Sequence, residues 1–407
     1  MSAIGKVFPP EKFQFRDPDT GAEITQYTRV GETNRTLYFT NRPYSPDGER
    51  VVFLSDRSGP RLMYLLELRS GKIVQLTDLE CGANVSNCVH PARPELYFRT
   101  EEALFRVNYE TLKTEELLRP PEGFRLGILN LNAPPWLAFE VIERFPQTMA
   151  MRGGRLAPAP GSLEGHFMRP RSLIYRLNVD TGKLDCLWGD VAMLTHTQVC
   201  PTNPDLVIFS DFSGYGRDRC YFIDLRKRTK TAPRPAFPET EFSRAGHESF
   251  TRKGNLYAQW MEGDLDEEGE HQLCHVFRDV GALPTREVPS APFRKYKLPE
   301  KMGWLAHHFT MSSDERWGVH DRWVGAPTTE QNMAHLAIFR HREEEPQTLV
   351  ERLCFHNGAK GDRINLGVEL TIDDRDEFAT YTSFLEGRAN VCQVRLAPFV
   401  ERILKKG

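Results

Sequence analysis

With 407 residues and 53 Lys and Arg against 56 Asp and Glu, the chain is close to electroneutral and offers no basic field that would hold nucleic acid. Its eight cysteines are scattered, with no CxxC pair. In a chain of this size that argues against a disulfide framework and points to reduced, buried thiols. No apolar h-region opens the sequence and no run is apolar for long enough to span a bilayer, so a soluble, cytoplasmic protein without a membrane partner is expected.

Residues 17–28, DPDTGAEITQYT, read as a turn followed by a strand that has no strands of its own before it. The first complete unit is residues 45–78, SPDGERVVFLSDRSGPRLMYLLELRSGKIVQLTD. Pro46 presets φ for a turn and Gly48 tolerates positive φ there. Three strand-like runs follow, divided by Ser58-Gly59 and Ser70-Gly71. A sheet this small cannot bury both faces alone and needs neighbours of its own kind. Further copies of the turn–strand–turn–strand–turn–strand order begin near His90, Pro201, Thr251, Ser312 and Thr371. Another copy is divided between residues 136–141 and 172–187. Seven copies spaced roughly 45–65 residues apart predict an all-β fold, a seven-bladed β-propeller occupying residues 1–407 as one domain. The last copy lacks an outer strand, so the strand within 17–28 is expected to complete it and close the ring.

The dividing segment, residues 143–171, is rich in Gly, Pro and Met and is expected to form a loop, a lid near one mouth of the channel. SGYGRD from Ser213 lacks the helix that a phosphate loop needs and reads as a hairpin turn. No GxSxG elbow occurs. The chemistry belongs on the innermost strand of each blade, just before the SPDG-like turn. Counting back from the turns gives Asn41 and Arg42, Ser86 and Asn87, Leu129 and Asn130, His196, His247, His307 and His308, and Asn365. Three successive blades thus offer a histidine at nearly the same place, in a chain with 12 in all. Convergent imidazoles suit a metal site, proton transfer, or both.

These stretches together resemble a known family. DPDTG, the SPDG unit, LAFEVIER from Leu137, LTHTQVCPTNPDLVIFSD, Arg219 in DRCYFID, AGHESF and HHFTMSSDE are similar to the oligogalacturonate lyases, seven-bladed propellers that cleave short pectin fragments by β-elimination, with manganese in the described members. AGHESF and HHFTMSSDE are the most specific of these matches. The resemblance implies His247 as general base, Arg219 as the partner of the substrate carboxylate, His308 as a metal ligand and His196 as a channel histidine. Asn41 and Arg42 join His196 and Arg219 as candidate substrate-binding residues. The sequence departs from the family on the last blade. A Gln/His/His cluster is expected there, but residues 362–367 read DRINLG. His356, Asp362 or Asn365 would have to complete a divalent site, manganese by resemblance.

The implied reaction explains the residue types. The proton at C5 of a uronate is a poor acid, because the adjacent carboxylate is already negative. A cation on that carboxylate stabilises the charge that develops, and a neutral imidazole takes the proton. The implied partner is an oligosaccharide. A different uronate-containing glycan, or a non-catalytic carbohydrate- or protein-binding propeller, is the alternative reading.

Overall fold

A computed structural model describes residues 3–81, 86–144, 170–211, 220–231, 243–262, 272–278, 294–297, 306–322, 335–341, 349–355 and 368–405. Among them the chain forms seven antiparallel sheets of four or five strands. Among the described residues the fold is all-β apart from one helix, Ala397–Lys405, which seats Phe399 and Ile403 in the core.

The first sheet shows why the repeats fold as they do. Arg50–Ser55 and Leu62–Glu67 pair in register from Arg50↔Glu67 to Ser55↔Leu62. Both runs are nearly all apolar, because this sheet is covered on both faces. Val52, Leu54, Met63 and Leu65 pack toward the second sheet with Val89, Leu96 and Phe98. Val51, Phe53, Tyr64 and Leu66 face Tyr27 and Val391 of the last sheet. Each sheet thus serves as the cover of the next.

The two ends of the chain meet in one sheet, in the order Phe13–Arg16, Glu23–Gln26, Asn390–Arg395, Phe378–Ser383, Thr371–Ile372. Ile24, Thr25 and Gln26 lie opposite Val394, Gln393 and Cys392. The sequence predicts one N-terminal strand here and the structure has two, since Phe13–Arg16 folds back on Glu23–Gln26 as a hairpin. The turn between them is held by Asp17, whose carboxylate accepts from the amides of Asp19, Thr20 and Phe355. The Phe355 bond ties the hairpin to the sixth sheet as well. A still earlier strand, Val7–Phe8, edges the first sheet by pairing with Ile73–Gln75.

Asn41 knits three sheets together near their innermost strands. It is 1% exposed. Its amide nitrogen donates to the carbonyls of Asn87 (2.9 Å) and Leu129 (2.8 Å), and its oxygen accepts from Asn130 Nδ2 at 3.0 Å. Its polar atoms are therefore taken up inside the protein. Asn41→Ala should lower stability by about 2–4 kcal/mol, because it strands several buried partners at once. A thermal or urea unfolding curve checks this, and an unchanged midpoint would contradict the stitching role.

Candidate active site

The innermost strands set the candidate residues in one register. A backbone bond closes each turn that follows them: Thr251 N to Asn255 O at 2.8 Å, Ser312 N to Trp317 O at 2.9 Å, Asp373 N to Phe378 O at 3.0 Å. Counting back the same distance from Thr251, Ser312 and Asp373 reaches His247, His308 and Glu369. The same count from Cys200, which closes the fourth sheet's hairpin on Asn203, reaches His196. Glu369 thus holds in the last sheet the place that a histidine holds in the three sheets before it. The sequence reading places Asn365 at this position instead, because it sets the last turn too early.

The backbone is irregular at these places. His196, His247 and Glu369 have φ of 58°, 52° and 51°, the left-handed region that side chains with a Cβ rarely enter. Pairing slips by a residue beside them, between Thr195 and Gln198 and between Gly246 and Ser249, and again between Ala306 and Phe309. Such bulges re-aim side chains and leave amides without a ladder partner. Buried acids from the second strands take those amides. Glu140 accepts from Thr197 N at 2.7 Å and Ile128 N at 2.8 Å. Asp321 accepts from His308 N at 2.5 Å. Burial pushes the Glu140 carboxyl up, and the amide donors only partly offset that. The one legible signal for these two acids is a single carboxylate inside an apolar strand run, WLAFEVIE and WGVHDR.

His196, His247 and His308 come together around Tyr38 and Phe39. The Tyr38 hydroxyl shares a 2.7 Å hydrogen bond with His196 Nε2. Phe39 stacks on His308 at 4.6 Å between ring centroids, and His247 meets His308 edge-on at 4.9 Å. His196 and His308 are buried, at 8% and 2% exposure, whereas His247 is half-buried. Among the three, His247 is the least buried.

Behind His308 lies a charged layer. Its Nδ1 is 3.5 Å from Asp321 and 4.0 Å from Glu369. Glu369 in turn pairs with Arg35 at 3.1 Å, both side chains being 7% exposed or less. Burial works against an imidazolium at His308, but Glu369 and Asp321 outweigh it and hold its pKa above the ordinary histidine value. Burial pushes Glu369 up and Arg35 down, each partly countered by the other's charge. Among the described residues no three His, Cys, Asp or Glu side chains are grouped to hold a metal ion.

The remaining candidates separate. Arg42 pairs with Asp374 and lines a cavity of about 290 Å³ with Thr40, Asn132 and Arg252. Phe39 forms part of that cavity's wall, and none of the described histidines does. Arg219, His356, Asp362 and Asn365 lie outside the described residues, as does most of the 143–171 segment. At the base of that segment Arg171 pairs with Glu143 at 2.7 Å.

Known proteins resemble this chain in sequence and architecture. A family model described as oligogalacturonate lyase matches residues 2–134. The oligogalacturonate lyase of Dickeya dadantii is 22% identical over 303 residues, 71% of this chain and 73% of that protein. The oligogalacturonide lyase of Pectobacterium atrosepticum is 22% identical over 211 residues, 51% of this chain and 53% of that protein. Among solved structures, an oligogalacturonate lyase from Vibrio parahaemolyticus superposes with a TM-score of 0.78 at 18% identity, over 97% of this chain and 99% of that one. An oligogalacturonate lyase in complex with manganese gives the same TM-score at 19% identity, over 97% and 98% of the two chains. In sequence over part of its length and in fold over nearly all of it, the chain is similar to the oligogalacturonate lyases.

Proposed function

We propose that this protein is an oligogalacturonate lyase, cleaving short uronate oligosaccharides by β-elimination and leaving a 4,5-unsaturated uronate on the product. We read residues 1–407 as a single domain, a seven-bladed propeller in which each sheet is a blade and the strands from the two chain ends close the ring. The pairing of Glu23–Gln26 with Asn390–Arg395 supports that closure.

The observation that carries the functional reading is the setting of His247. It is the half-buried member of a cluster whose other two imidazoles are buried. Its backbone is bulged, so its direction differs from that of a regular strand residue. An imidazole with access to substrate and a fixed direction suits abstraction of the C5 proton. His308, stacked on Phe39 and edge-on to His247, fixes one wall of the site. Arg219 is assigned to the substrate carboxylate on its family resemblance, because a guanidinium fork matches a carboxylate with two bonds. Loss of the C5 proton places charge on that carboxylate, and the O4 leaving group departs as the 4,5 double bond forms.

A divalent ion is the family's expected charge stabiliser. The described residues around His308 do not fit one: no three metal-binding side chains are grouped among them, and Arg35 pairs with Oε1 of the carboxylate whose Oε2 faces His308. The steps assigned to this chain accordingly use its own side chains.

Incubating the purified protein with short oligogalacturonates should raise the ultraviolet absorbance of the conjugated 4,5-unsaturated uronate. Flat absorbance across a range of chain lengths would overturn the assignment.

A further inference from the structure

We infer that the Arg35–Glu369 ion pair takes the place of a metal behind His308: the pair organises His308 from behind, and the site binds no divalent cation at His308. The inference rests on the functional reading for its importance, but not for its test.

Glu369 occupies in the last sheet the register position of His247 and His308, with the same left-handed backbone as His247. A carboxylate at that place would ordinarily add negative charge beside His308 and favour a cation there. Arg35 supplies that cation from within the chain, 3.1 Å from Glu369 Oε1, while Glu369 Oε2 is the oxygen that faces His308. The pair is sequestered from water, at 7% and 4% exposure, so its attraction is little screened. A guanidinium stays protonated in proteins and cannot serve as a ligand. A divalent ion drawing on Glu369 and His308 would sit beside that fixed positive charge in a low-dielectric layer, or would have to break the pair and strand Arg35. Both routes oppose binding. Thr36, next to Arg35, donates its hydroxyl to the Glu369 carbonyl, which pins the carboxylate's backbone to the same strand segment. Arg35 is thus a positioning residue. It holds Glu369, and Glu369 faces His308, which abuts the half-buried His247.

The test reads metal binding rather than turnover. Chelator-stripped wild-type protein is titrated with Mn2+ and bound ion is counted by electron paramagnetic resonance. No ion should bind at His308, and activity should survive chelation. Arg35→Ala combined with Glu369→His removes the internal cation and supplies an imidazole. That double variant should bind Mn2+ at least about tenfold more tightly than wild type, and the gain should vanish when His308→Ala is added. One Mn2+ per wild-type chain, lost in His308→Ala, would overturn the inference. Should the double variant fail to fold by circular dichroism, the wild-type titration decides alone. A protein with no lyase activity that also binds no Mn2+ would sink the functional reading while leaving this inference standing.

Discussion

Replacing His247 with alanine should cut turnover by about 100-fold or more, the usual contribution of a positioned general base. The protein should remain folded, because His247 is only half-buried and its ring meets its neighbours edge-on. Oligosaccharide binding should persist. A residue that acts in the chemical step lowers kcat and kcat/KM together, while one that only binds substrate raises KM. His196→Ala provides the contrast. His196 is buried and bonded to Tyr38, so its loss should appear first as a lower melting temperature. Near-normal turnover in His247→Ala, with turnover abolished in a folded His196→Ala protein, would place the base on the wrong sheet.

The histidines were legible because the SPDG-like turns number the innermost strands, and equal spacing from a turn means equal height in each sheet. On the last blade the count back from the turn stops at Asn365, four residues before Glu369, and so passes over the acid. Arg35, Tyr38 and Phe39 belong to the stretch RTLYF, which repeats nowhere else in the chain. Their importance comes from a contact between residues 35 and 369 and from rings that meet across the innermost strands, and nothing local encodes either. Asn41, a substrate-binding candidate by its register, lines the cavity beside Arg42 and also has partners in neighbouring sheets, Asn87 and Leu129, that no pattern within its own strand predicts.

Deleting residues 1–28 should leave the chain unable to fold stably. Ile24 and Tyr27 are 1% and 5% exposed, and losing two such side chains costs about 3–6 kcal/mol by area alone. A domain's whole stability is about 5–15 kcal/mol. Further losses add to this. The strand Asn390–Arg395 would become a sheet edge, with the apolar faces of Val391, Cys392 and Val394 uncovered. Tyr27 also packs in one cluster with Tyr44, Phe53 and Tyr64 of the first sheet, and its hydroxyl donates to Gln393 at 2.9 Å. Asp17 and Thr20 bond the sixth sheet through Phe355 N and Leu353 O. One deletion therefore disrupts the first, sixth and last sheets together. The truncated protein should aggregate or melt many degrees below the full chain. Supplying residues 1–28 as a separate peptide should raise the melting temperature in proportion to the logarithm of its concentration, as expected for a ligand that binds only the folded state. A truncated chain that melts at the full-length temperature would show that the N-terminal strands merely decorate the last sheet.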